Sequence, residues 1–275
     1  MKEPVLFKNQ SALILESEKL TEQFVCEAGT RSSRLTEWVM PATTPATLEQ
    51  PLLAKWVLLA KEDSEVEYVF FQNLPEGARA LAHLEVRAKK NAKVKLTIIQ
   101  NGATHNHVEL NVHLEAPGAE VEVRGVQNAI GAQKHSLTVH ALHSQPHTRS
   151  DLNAWCIARD QSQIIFNGLV TIEKGAHHTE AYQKNKNLIL SDKATVDSFP
   201  KLFIANDDVK CAHGSSTSTL DPNQALYLES RGISGEAAEK MLIDGFINQA
   251  LNWVQDQEIL NTVKKTLQLS EEVWS

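Results

Sequence analysis

Apolar and polar residues alternate one for one through most of this chain. Leu81-Ala82-His83-Leu84-Glu85-Val86-Arg87 and Val94-Lys95-Leu96-Thr97-Ile98-Ile99 show the pattern, as do Val108 to Leu114, Val121 to Val126 and Ser136 to His140. It continues in Gln163 to Ile172 and Asn187 to Leu190. A period of two puts successive side chains on opposite faces, so each segment predicts a short strand with one face buried. Between the strands a small corner recurs: Gly77-Ala78, Asn91-Ala92, Gly102-Ala103, Gly118-Ala119, Gly131-Ala132 and Gly175-Ala176. Gly or Asn there supplies the positive φ of a sharp turn, and the following Ala fits a tightly closed coil. Strands joined in this way from about Glu67 to Ile204 predict a mainly β fold, a β-solenoid whose stacked coils share one core. The spacing of the corners is irregular, and an antiparallel sandwich is the alternative.

The two ends read differently. Val5 to Leu15 and Trp56 to Leu59 predict strands, Pro41 to Pro51 a loop, and no long helix stands there. At the other end Asp221 can cap a helix that has Pro222 at its first position, and Gly232 stops it. Ser234 can cap a second helix from about Gly235, with Ala238, Met241, Leu242, Gly245, Phe246, Gln249 and Trp253 along one face. Ile259, Leu260, Val263 and Leu267 form a third apolar stripe. The chain thus divides into a β-rich segment over 1–65, a solenoid core over 66–220 and a helical segment over 221–275. Two amphipathic helices at the end of a β body either pack on it or present a face to a partner.

Composition narrows the function. The 275 residues carry a formal net charge of -7, and aromatic residues make up 6%. Neither suits nucleic acid, which needs a basic face and stacking platforms. Cys26, Cys156 and Cys211 form no CxxC and no even set, which predicts free thiols in a reducing compartment rather than a disulfide framework. With no signal-peptide core and no apolar run of membrane-spanning length, the expectation is a soluble, cytoplasmic protein without a membrane partner. No GxSxG, P-loop or GxGxxG occurs, so no such hydrolase or nucleotide site stands out and this chain is expected to bind no nucleotide itself.

The candidate chemistry is concentrated late in the chain. In Asp207-Asp208-Val209-Lys210-Cys211-Ala212-His213-Gly214 a thiol and an imidazole stand two residues apart. On a strand they share a face, and such donors suit iron, zinc or sulfur transfer better than magnesium or calcium. The 11 histidines gather at His105, His107 and His113, at His135, His140, His143 and His147, and at the pair His177-His178. None forms an HExxH spacing, so most are expected to be solvated or hydrogen-bonded. The acids Asp192, Asp197, Asp207 and Asp208 leave open a carbohydrate-active solenoid enzyme, which would have to gather them on one face.

From Ala181-Tyr182-Gln183-Lys184-Asn185-Lys186-Asn187-Leu188-Ile189-Leu190-Ser191 onward the sequence resembles the SufB/SufD family, scaffold components of the SUF iron–sulfur cluster assembly system. The likeness continues through Phe199-Pro200-Lys201-Leu202-Phe203-Ile204, Asp208 to Ser216, Leu226-Tyr227-Leu228-Glu229-Ser230-Arg231-Gly232-Ile233 and Ala238 to Phe246. Upstream, His143 to Ser150 and Phe166-Asn167-Gly168 also resemble it. The resemblance is specific from about 140 to 255 and weak before 100.

This resemblance implies a right-handed parallel β-helix with a C-terminal helical segment. It implies a dimer through the β-helix, with a SufB-type paralogue or with itself. It also implies docking of a SufC-type ABC ATPase on the C-terminal helices, with Tyr227, Arg231, Met241 and Phe246 as the contact residues. A transient iron–sulfur cluster or iron would be handled near the dimer interface by His213 and Cys211. The SufB-type branch carries a cluster-assembly cysteine in a Lys-Cys context, where this chain has Lys193-Ala194. It also carries Glu-His-Glu where this chain has Cys211-Ala212-His213, and the Cys-x-His-Gly form is SufD-like. The chain reads as shorter than the usual members, without most of their N-terminal helical region. An interaction homologue without a metal site is therefore the alternative.

Overall fold

A computed structural model describes residues 7–14, 19–39, 51–267 and 269. Within them fifteen strands lead into three helices. The strands are β1 (Phe7–Ile14), β2 (Lys19–Cys26), β3 (Arg31–Val39), β4 (Leu52–Ala60), β5 (Glu65–Leu74), β6 (Arg79–Ala88), β7 (Lys93–Gly102) and β8 (His105–Leu114). Then come β9 (Glu120–Ala129), β10 (Lys134–His143), β11 (Arg149–Ala158), β12 (Gln163–Ile172), β13 (Thr179–Ile189), β14 (Thr195–Ile204) and β15 (Val209–Ser218). The helices are α1 (Pro222–Ser230), α2 (Gly235–Leu251) and α3 (Gln257–Thr266). The loop expected over Pro41 to Pro51 falls outside the described residues, apart from Pro51.

Odd-numbered strands stack into one sheet and even-numbered strands into another, in chain order and parallel throughout. That is a two-sheet parallel β-solenoid, and it excludes the sandwich. A coil advances by as little as 25 residues, from Phe7 to Ser32, and by as much as 34, from Arg31 to Glu65. The irregular corner spacing follows from this. Positive φ occurs at Gly77, Asn91, Gly102, Gly118 and Gly131, as the corner pattern predicts, and also at Asp63, Ala103, His147, Asp160 and His178. Gly175 is a correction: it has no positive φ, because the left-handed residue of that corner is His178.

The alternating residues meet between the sheets in a core that runs from Cys26 and Trp56 through Phe70, Leu96, Leu110, Val123 and Leu152 to Phe166 and Ala181. Burying a large apolar side chain there contributes about 1.5–3 kcal/mol. Tyr68-Val69-Phe70-Phe71 in β5 is apolar on both sides because both sides are covered. Phe70 faces the core, and Phe71 faces α2 and α3. A polar column interrupts this interior: Gln72, Gln100, Gln127, Cys156 and Asn187 lie in register on successive strands and are all buried. At the strand starts of the odd sheet a charged row alternates in sign: Arg31, Glu65, Lys93, Glu120, Arg149, Glu180, Lys210. Each exposed pair is worth about 0–1 kcal/mol, but a slip of one residue would break the whole row, so the row specifies register.

The helices cover the outer face of the odd sheet. Ile243, Ile247, Ala250 and Leu251 of α2, with Ile259, Leu260 and Val263 of α3, meet Val69, Phe71, Ile99, Val126, Trp155, Ile157 and Leu188. The caps follow the sequence: Asp221 accepts from the Asn223 amide and Ser234 from the Ala237 amide, and Asp256 caps α3 in the same way. The buried face of α2 is a correction. Of the expected stripe Ala238 is buried, whereas Met241, Leu242 and Phe246 are half-buried and Gly245 and Gln249 exposed. Apolar residues surround most of this helix, and the sheet selects the stripe that fits its own ridges. Arg124 fixes the far end, donating to the carbonyls of Gln249 (3.1 Å) and Ala250 (3.2 Å) and to Asn252 Oδ1 (2.8 Å). Its guanidinium also lies 4.4 Å from the Trp253 ring centre. Among the described residues no helix is long and apolar enough to cross a membrane.

Candidate functional site

The solenoid ends on an uncovered coil. β14 closes one sheet and β15 the other, each with a strand neighbour on one side only. Their edges leave backbone amides and carbonyls without a ladder partner, the feature that recruits a further strand. Cys211 and His213 sit on β15, opposite Ala181 and Gln183 of β13. They share the inward parity, as a strand requires, yet the last coil has nothing stacked beyond it. Cys211 is therefore half-buried against the core, whereas His213 is exposed.

Burial holds the Cys211 thiol above its ordinary pKa, opposed by a backbone hydrogen bond at Ala181. At neutral pH it is mainly a thiol, and a bound metal ion would have to displace its proton. Below His213 lies Gln183, which is buried and donates to the Lys201 carbonyl at 3.0 Å, tying β13 to β14. Gly168 makes room for it, since a Cβ there would come within 2.3 Å of Gln183 Oε1. Sequence reasoning missed Gln183. Its only local signal is a glycine in the middle of a strand pattern, which marks a close approach.

Of the other thiols, Cys156 is fully buried. It donates to Gln127 Oε1 (3.4 Å), accepts from Asn185 Nδ2 (3.5 Å), and is pushed up to about pKa 12 by burial. Ala194 is buried in the same small cluster as Cys156. Cys26 is buried among Thr30, Ser32 and the Glu65 carbonyl. All three cysteines are free. Among the described residues no three His, Cys, Asp or Glu side chains are set around a common ion position.

The acids disperse. Asp192 precedes β14 and Asp207 follows it, at opposite ends of a strand about 33 Å long. Asp197 lies on β14, and Asp208 engages His178 at 2.9 Å. A carbohydrate-active site has no gathered carboxylates to work with here.

The expected partner residues fall in two environments. Tyr227 and Arg231 are exposed at α1 and its C-cap, with the Arg231 guanidinium 5.2 Å from the Tyr227 ring centre. No residue of α1 is buried, and Leu226 and Tyr227 are 64% and 58% exposed. Met241 and Phe246 are half-buried on α2, with Phe246 against the helix–sheet core. An apolar groove of about 340 Å³ between α1 and α2 is lined by Asn223, Gln224, Tyr227, Leu228 and Leu242.

Comparison with known proteins joins these features. The family described as SUF system FeS cluster assembly, SufBD core domain, matches residues 39–246. The chain is similar to a SufBD family iron–sulfur cluster assembly protein of Synechocystis sp., 28% identical over 70% of this chain and 43% of that protein. It is similar to the iron–sulfur cluster assembly protein SufD of Bacillus subtilis, 30% identical over 71% of this chain and 45% of that protein. With SufD of Escherichia coli it shares 36% identity over 39% of this chain and 25% of that protein. The chain thus spans less than half the length of these curated relatives.

Proposed function

The chain belongs to the SufBD core-domain family of the SUF iron–sulfur cluster assembly system, and from that premise we propose that it acts as a non-enzymatic, SufD-like scaffold. It pairs through the open end of its solenoid with a SufB-type paralogue or a second copy, and nascent cluster or iron is its cargo. His213 is the leading ligand and Cys211 the second. An ABC-type SufC ATPase docks on α1, its C-cap and the adjoining part of α2, at Tyr227, Arg231, Met241 and Phe246.

One observation carries this reading: inward-facing donors of the last coil stand uncovered beside two unpaired strand edges. A monomer that had no use for that end would cover it, because exposed edges invite unwanted pairing. The bare α1 supports the docking surface in the same way, since its apolar residues serve no core of this chain.

Anaerobic reconstitution with a SufB-type partner and the ATPase tests the proposal. Cluster yield and bound iron should fall in His213→Ala and more mildly in Cys211→Ser. If both remain at the parent level in His213→Ala, the assignment of the site is wrong. Ala194 favours a second reading, an interaction homologue without a metal site, because that position offers no ligand atom. This reading predicts undiminished complex assembly, and no iron at all, in the parent and in both variants.

A further inference from the structure

A second cluster of donors lies where the solenoid turns into β11, β13 and β15. The corners there stack in a column whose left-handed residues are Gly29, Asp63, Asn91, Gly118, His147 and His178, with φ between 53° and 75°. The first four are residues that accept this conformation through the absence of a Cβ or through a short polar side chain. The last two are histidines. The His147 amide donates to the His177 carbonyl at 2.9 Å, and the His178 amide to the Asp208 carbonyl at 2.7 Å, so the backbone holds all four residues on one exposed ridge.

The rings are close. Their centres lie 4.8 Å apart for His147 and His178, 5.5 Å for His177 and His178, and 6.3 Å for His147 and His177. Asp208 Oδ2 adds a carboxylate 2.9 Å from His178 Nδ1. With a metal–nitrogen bond of 2.0–2.1 Å, two imidazoles on one tetrahedral ion have ring centres about 5 Å apart. The ring centres fall within the span of a shared ion, but as placed the four side chains do not surround a common ion position. His178 now stacks on His147 at 29° between ring planes and is engaged by Asp208. All four side chains are exposed, and an exposed polar contact is a weak restraint. To hold an ion the rings would have to turn about χ1 and χ2 from their present positions so that their nitrogens face one point.

We propose that His147, His177, His178 and Asp208 form a binding site for a divalent transition-metal ion of borderline softness, the class that imidazole and carboxylate donors together select. The site is distinct from Cys211 and His213 and does not depend on their assigned role. The ion crosslinks three successive corners at the open end of the solenoid.

The test uses the full chain carrying Cys211→Ser and His213→Ala, so that those donors cannot bind the probe. Zn(II) is titrated calorimetrically, and bound metal is measured after dialysis. One equivalent should bind, and the affinity should fall at least tenfold in His147→Asn/His178→Asn. Asparagine is chosen because Asn91 holds the same corner conformation at φ 53°. His177→Gln, at a position without positive φ, should weaken binding similarly and guards against misfolding of the double variant. Metal-free melting temperatures should match the parent. Failure of the parent to retain Zn(II), or equal affinity in the double variant and in His177→Gln to that of the parent, would overturn the site.

Discussion

His135 and His143 couple the stability of the fold to pH. Both are buried, and desolvation lowers each from the ordinary 6.5 to about 4. His143 lies between two hydroxyls, 2.8 Å from Thr148 Oγ1 and 2.8 Å from Ser150 Oγ, and His135 Nε2 is 2.8 Å from the Gly102 carbonyl. Folded-state values below the unfolded value mean that stability is complete above about pH 6.5. It is lost as pH falls toward 4, because the unfolded chain takes up protons that the native state refuses. A shift of this size corresponds to a loss on the order of 3 kcal/mol for each group. Urea unfolding at pH 7, 5.5 and 4.5 should show the decline, and His143→Gln should flatten part of it. An identical pH profile in that variant would mean that His143 is not held neutral by the fold. At this scale the sequence is partly readable. Strict alternation alone places Cys211 and His213 on one face, and the strand keeps them there. Gln183 escapes because coil stacking brings it beneath His213 from 30 positions away, and the glycine at 168 marks a close approach without naming what fills it.

Elements that look alike in sequence serve different ends in the helical segment. α2 and α3 bury an apolar stripe against the odd sheet, whereas no residue of α1 is fully buried. Arg124 supports the first group as a cation at the carbonyl end of α2, where a positive charge is favoured. Arg124→Ala should cost about 1–2 kcal/mol by chemical denaturation and raise hydrogen exchange in the last turn of α2. An unchanged exchange rate there would show that the sheet alone holds the helix. Tyr227→Asp should leave stability within about 0.5 kcal/mol, as for an exposed residue. On the proposed docking mode it should nonetheless weaken binding of a SufC-type ATPase about tenfold or more, the scale of an interface anchor. Undiminished affinity with an intact fold would move the docking surface off α1. The caps of α1 and α2 are legible directly in Asp221, Pro222 and Ser234, since capping is local chemistry. The buried face of α2 is not, because the choice between two apolar stripes is made by Val126, Trp155 and Leu188 on a distant sheet.

Helices close one flank of the whole molecule, and its last coil stays open. They seal the outer face of the odd sheet, and the charged row from Arg31 to Lys210 keeps the coils in register up to the last strand. There the stacking stops, with Lys210, Cys211 and His213 on an edge that can accept another strand. The corner pattern makes the solenoid legible, because each coil repeats the same turn chemistry. It does not reveal β11, β14 or β15 as complete strands. In β11 and β15, Asn153, Trp155 and Ser215 break the simple alternation where a helix or open solvent replaces the usual surroundings. Hydrogen exchange of the chain with and without a SufB-type partner tests the central claim most directly. Backbone amides of β14 and β15 should become protected on complex formation, while those of β4 and β6 stay as they were. Protection confined to another face, with β15 exchanging as fast as in the free chain, would contradict the account.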